Sequence, residues 1–172
     1  MRNLINLLHS VFASILSTNY IIKPTYKTKQ LIYFTSQTYF FHDLYRIRKG
    51  DYLDIIHHII SSIGLLCFYI GYYDKIIIEL YHYGEISNVA IFGHYLVIKN
   101  VTDKRILLVS SSLEFVIYTY YRFFCMTQLI FDNYEIFFQT PLSSFMIIYF
   151  MSIDWSYTLF NKLCDDIKDV IR

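Results

Sequence analysis

Long apolar stretches alternate with short polar breaks along the whole chain, and six such stretches can be drawn, over residues 4–22, 31–47, 52–73, 76–98, 106–131 and 137–163. Each is about 17–27 residues long, which at 1.5 Å of rise per residue matches a hydrocarbon core of about 30 Å with some tilt. The first ends at Lys23-Pro24, where proline cannot continue a helix. The pattern predicts an all-α protein, a multi-pass transmembrane helical bundle of about six spans forming a single domain over 1–172. No linker, repeat or separate soluble domain interrupts it. Arg2 followed by an apolar run also has the outline of a secretory signal peptide. The run continues through Tyr20, Ile21 and Ile22, past any small-residue cleavage site, which favours a retained span.

Composition strengthens the membrane reading. Hydrophobic residues make up 55% and charged residues 17% of the chain. A soluble domain of this size buries only about two-thirds of the surface of its unfolded chain and would leave much of this apolar content in water. The net charge of +1 argues against a nucleic-acid partner. Charge does set an orientation. With six spans, ten of the fifteen lysines and arginines fall on one side and four on the other, with Arg122 inside a span. Positive charge stays inside, so both termini are expected in the cytoplasm. Cys67, Cys125 and Cys164 lack disulfide-framework or metal spacing and read as reduced thiols.

Ionisable side chains at bilayer depth are costly unless they face protein, water or a partner, yet the predicted spans hold many: His42, Asp43, Asp54, His57, His58, Glu79, His82, Glu85, His94, Glu114, Arg122 and Asp154. That density predicts a polar cavity between helices. Asp54 lies three residues before His57 and four before His58, so one helical face brings its carboxylate toward either ring. A carboxylate on one imidazole nitrogen leaves the other free as base or nucleophile. The same spacing also fits a hydrated polar helix end. Adjacent histidines point about 100° apart on a helix and chelate poorly, so no metal and no cofactor are expected. Arg122 needs a partner, for which Glu85, Glu114 and Asp154 are candidates, either as a structural ion pair or as part of a substrate site.

The order of these features resembles the TLC-domain family, the group of translocating-chain-associated proteins, ceramide synthases and the neuronal lipofuscinosis membrane protein. The resemblance runs over nearly the whole chain. It includes Asn6-Leu7-Leu8-His9-Ser10 and the span Ser36 to Leu44, with Tyr39 and Asp43, which resembles the family's aromatic-x-x-Asp-Leu second span. Gly50-Asp51 before His57-His58, Gly84-Glu85-Ile86-Ser87-Asn88 and Tyr121-Arg122-Phe123 follow in order. Ceramide synthases transfer a fatty acyl group from acyl-CoA to a sphingoid amine through a His-His element. The resemblance therefore implies acyl handling by His57 and His58 with Asp54 as orienting carboxylate, and substrate contacts from Asp43, Glu85, Arg122 and Asp154. The synthases' later His-Asp-x-x-Asp cluster is replaced here by Tyr83-Gly84-Glu85-Ile86-Ser87-Asn88, as in the smaller members associated with lipid composition and trafficking. The expectation is a small TLC-type protein of the endoplasmic reticulum that binds or senses a membrane lipid. Acyl-CoA-dependent N-acyltransfer to a sphingoid base is the enzymatic alternative, and a non-catalytic membrane scaffold the third.

Overall fold

A computed structural model describes residues 2–46, 52–139 and 141–171. Every regular element among them is helical. The order is α1 (Arg2–Ile22), α2 (Tyr26–Arg46), α3 (Tyr52–Ile70), α4 (Asp74–Asn100), α5 (Lys104–Thr119), a π-helical turn (Tyr120–Cys125), α6 (Met126–Asp132), α7 (Tyr134–Gln139), a 3₁₀ turn (Pro141–Ser144) and α8 (Phe145–Ile171). Among the described residues two helices are long and apolar enough to cross a membrane, over Asn3–Ile22 and Tyr52–Ile70. The predicted boundary at Ile47 and the Gly50-Asp51 pair lie outside the described residues.

Three predicted boundaries move: the last helix runs on to Ile171, past the expected 163, and the two shifted starts each have a local reason. The second helix begins at Tyr26 rather than residue 31 because Thr25 caps it: its hydroxyl accepts from the Thr28 amide at 3.1 Å. Lys29 then bonds Asp74 at the start of α4 at 2.5 Å, so this polar turn is held against protein. The last long helix begins at Phe145 rather than residue 137. Pro141 has no amide hydrogen and opens a 3₁₀ turn there. Between α3 and α4 the chain reverses through Gly71, whose φ of 93° suits glycine, and Tyr73 at φ 52°. The Gly71 amide donates to the Phe68 carbonyl and the Tyr72 amide to that of Cys67, the two bonds of a Schellman motif.

α4 is the hub. It packs along α1, α3 and α5 and against the π turn; α2 lies beside α1 and α3, and α8 beside α5. The α1 face turned to α4 recurs every three or four residues as Asn6, Ser10, Ala13, Ser17 and Tyr20, all buried. Small residues allow backbones to approach, and Ser17 shares a 2.9 Å hydrogen bond with His82 of α4. One end of the bundle is closed by an apolar core of Tyr20, Ile32, Phe68, Ile77, Ile130 and Phe137. The buried polar residues Asn6, Asp43, His58, His94, Glu114 and Arg122 gather toward the other end. Large apolar side chains such as Leu8, Phe41, Ile63, Val116 and Phe150 point outward.

Candidate functional site

A cavity of about 890 Å³ opens in the polar half, between α1, α2, α3, α4, α5 and α8. α4 contributes Asn88, Ile91, Phe92 and Tyr95, and α8 contributes Trp155, Thr158, Leu159 and Lys162. Both sets follow the i, i+3, i+4, i+7 spacing of one helical face. Asp43, Asp54, His57, His58 and Arg122 line the same chamber. At its inner end Phe40, His57, Asn88 and Arg122 also line a second, narrow cavity of about 50 Å³. That slot runs toward the apolar end past Gly64, Leu65, Ile77, Leu80, Met126 and Ile130. The larger cavity thus carries most of the ionisable side chains and the narrow one is mostly apolar apart from Glu85, with Arg122 and His57 on the wall of both.

The orienting carboxylate comes from a different helix than spacing suggested. Asp43 of α2 accepts from His58 Nε2 at 3.1 Å, and both are buried. Asp54 stands half-buried on the chamber wall, without a hydrogen bond or ion pair to either histidine among the described residues. Helical spacing makes Asp54 a neighbour of the rings, but the α2–α3 crossing presents Asp43 to the buried one. The neutral tautomer that directs Nε2–H to Asp43 would leave the Nδ1 lone pair of His58 free. The His57 ring meets Trp155 of α8 edge-on across the cleft at 6.4 Å.

Arg122 sits in the π turn, 2% exposed. Its Nε donates to the Ser87 hydroxyl at 2.7 Å, and Nη2 to the Gly84 carbonyl at 3.3 Å and Asn88 Oδ1 at 3.4 Å. The expected ion pairs with Glu85, Glu114 or Asp154 are not formed among the described residues. Neutral acceptors on one face of α4 hold the guanidinium instead. A π turn is often found where a helix is re-aimed for function. A Cβ on Gly84 would stand 3.5 Å from Nη2, an ordinary contact, so the seat of the arginine does not itself require glycine there.

Glu85 lines the slot but not the chamber, and its Oε1 lies 3.8 Å from His9 Nε2. His9 in turn stacks on Tyr39 at 3.8 Å, joining α1, α2 and α4. Glu114 accepts from Lys162 at 3.0 Å and stands 3.5 Å from His94 Nε2, tying α4, α5 and α8. Asp154 is exposed and lines neither cavity. It precedes Trp155, and one residue turns a helical side chain by about 100°, out of the 155/158/159/162 stripe. Among the described residues no group of three or more His, Cys, Asp or Glu is placed to hold a metal ion.

Sequence reasoning missed Trp155, Tyr118 and Lys162 as wall residues and His9 as the neighbour of Glu85. The stripe spacing on α8 carried the first and third; nothing local marks His9, whose contact depends on α1 crossing α4. Compared with known protein families, with curated proteins and with solved structures, the chain has no match.

Proposed function

We propose that this is a six-span membrane protein of the small TLC type, which binds a lipid in the two-part cavity and thereby influences membrane lipid composition or trafficking. The observation that carries the reading is that a roomy chamber with ionisable walls and a mostly apolar slot share Arg122 and His57. An amphiphile has the same two parts. The distribution of side chains supports the membrane half: many large apolar residues face outward, while Asp43, His58, Glu85, His94, Glu114 and Arg122 are buried beside an apolar core. An outer surface so apolar suits hydrocarbon solvent. The buried polar residues also explain why only two helices pass on apolar content alone. α2 and α4 carry polar residues because their inner faces meet the cavity and other helices. In this arrangement both termini face the cytoplasm and the chamber lies at the same, basic end of the bundle. Placement in the endoplasmic reticulum rests on the family resemblance.

The test is lipid analysis of protein extracted into polymer-bounded discs. Wild type is expected to retain one lipid class enriched over the surrounding membrane. The double variant His57→Ala/His58→Ala, at matched protein level, is expected to lose that enrichment. No enrichment in wild type would sink the reading and leave a scaffold.

A second reading, acyl-CoA-dependent N-acyltransfer, draws support from the buried Asp43–His58 pair, an oriented base beside the chamber. Purified protein given acyl-CoA and a sphingoid base would then form the amide, and Asp43→Asn would abolish it. Retained lipid without amide product removes this reading alone.

A further inference from the structure

Charges on the chamber wall sort by depth. Three carboxylates have partners: Asp43 accepts a hydrogen bond from His58, Glu114 pairs with Lys162, and Glu85 in the slot stands 3.8 Å from His9 and within electrostatic reach of Arg122. Two groups have no ion pair within 4.0 Å among the described residues. Arg122, at the inner junction, has only neutral hydrogen-bond acceptors among the described residues. Its guanidinium cannot shed its charge. Asp54, on the outer wall and absent from the slot, has no hydrogen bond or ion pair among the described residues. His57 separates them, lining both cavities one turn along α3 from Asp54, about 4.5 Å of rise.

Beside the arginine two further polar atoms wait for partners. The buried His57 Nδ1 and the Tyr118 hydroxyl have none among the described residues. The Tyr118 ring lies 5.8 Å from the guanidinium carbon. From the slot outward the wall presents mostly apolar surface with the buried Glu85 carboxylate, then the Arg122 cation beside spare hydrogen-bonding groups, then Asp54.

We infer that the site selects a zwitterionic phospholipid-type amphiphile: apolar chain in the slot, phosphate at Arg122, and headgroup ammonium toward Asp54. The chain–phosphate–ammonium order of such a molecule is the complement of the slot–Arg122–Asp54 order. Trp155, across the cleft from His57, offers a ring face to the ammonium. A purely anionic lipid leaves Asp54 facing added negative charge. A sphingoid base leaves Arg122 unmatched and adds a like charge near it. The inference rests on the lipid-binding reading and narrows its ligand.

The chain has a single tryptophan, and it lines the chamber, so its emission reports occupancy. Full-length protein in detergent would be titrated with a short-chain phosphocholine lipid, a matched phosphatidic acid, a sphingoid base and the tail-less glycerophosphocholine. The phosphocholine lipid is expected to shift Trp155 emission saturably, at about tenfold lower concentration than phosphatidic acid or the sphingoid base. Glycerophosphocholine is expected to be weaker still, which separates lipid from free phosphodiester. Asp54→Asn is expected to reverse the order, weakening phosphocholine binding and strengthening phosphatidic acid. A folding defect weakens both, so the reversal is specific. Arg122→Gln is expected to abolish binding of both phosphate lipids. Equal affinities that Asp54→Asn leaves unchanged overturn the headgroup assignment while lipid binding stands. No response to any lipid overturns both.

Discussion

Arg122 shows what a single residue contributes when its neighbours are neutral. A guanidinium buried among a serine, a carbonyl and an amide oxygen is fixed in place but not neutralised. Such a group is available to an anion in a way that an ion-paired arginine is not. Gly64 matters at the same scale. A Cβ there would come within 2.2 Å of Phe145 Cζ, and both residues line the slot. Gly64→Ala therefore pushes the Phe145 ring into the slot. Lipid retention in discs is expected to fall several-fold with little change in thermal stability, because the ring is free to turn. Adding Phe145→Leu is expected to restore retention. Retention unaffected by Gly64→Ala would remove the slot from the binding site.

At the scale of elements, α1 and α4 depend on close approach. Ala13 is 2% exposed in that seam. Ala13→Leu adds volume that the interface cannot take and is expected to destabilise the bundle by about 1–3 kcal/mol, read as a lower unfolding midpoint in detergent. The Glu114 clamp holds the opposite side, linking α5 to Lys162 of α8 and standing near His94 of α4. Glu114→Ala leaves His94 beside an unmatched space, while the part-exposed Lys162 can turn to water. The expected loss is about 2 kcal/mol, smaller than for a fully buried pair. These helices were legible in outline from their apolar runs. The end of α1 at Ile22 was also legible, but the starts of α2 and α8 were not, because hydropathy registers neither the Thr25 cap nor the missing amide hydrogen of Pro141. The π turn around Arg122 left no mark in the pattern either, since its residues are as aromatic and apolar as those beside it.

For the whole molecule, the proposed six-span topology would put the N-terminus, the α2–α3 and α4–α5 links and the C-terminus on one side. Cys164, just past the predicted end of the last span, is unpaired. An impermeant maleimide is expected to label it from the same side as an N-terminal tag and opposite to a tag inserted at residues 23–30. Labelling of Cys164 from the side of the 23–30 tag would break the six-span topology. On that topology the chamber is reached from the basic, cytoplasmic end, and the slot points toward the opposite leaflet.

Helical class, the centres of the long helices and the unusual load of buried polar residues follow from the sequence alone, because each depends on apolar periodicity or on the cost of burying charge. Asp43, Asp54, His57, His58 and Arg122 could be picked out for the same reason: ionisable groups within apolar runs are conspicuous. Who pairs with whom was decided by the fold. Asp43 rather than Asp54 meets His58, Ser87 rather than a carboxylate holds Arg122, His9 approaches Glu85, and Asp154 faces outward. Each outcome depends on how one helix crosses or turns against another, and a one-residue rotation of about 100° exchanges an inner position for an outer one. Local spacing carries no information about that rotation between helices. It is set by packing summed over whole interfaces, where small side chains on α1 and the breadth of α4 leave one arrangement that buries the polar groups together.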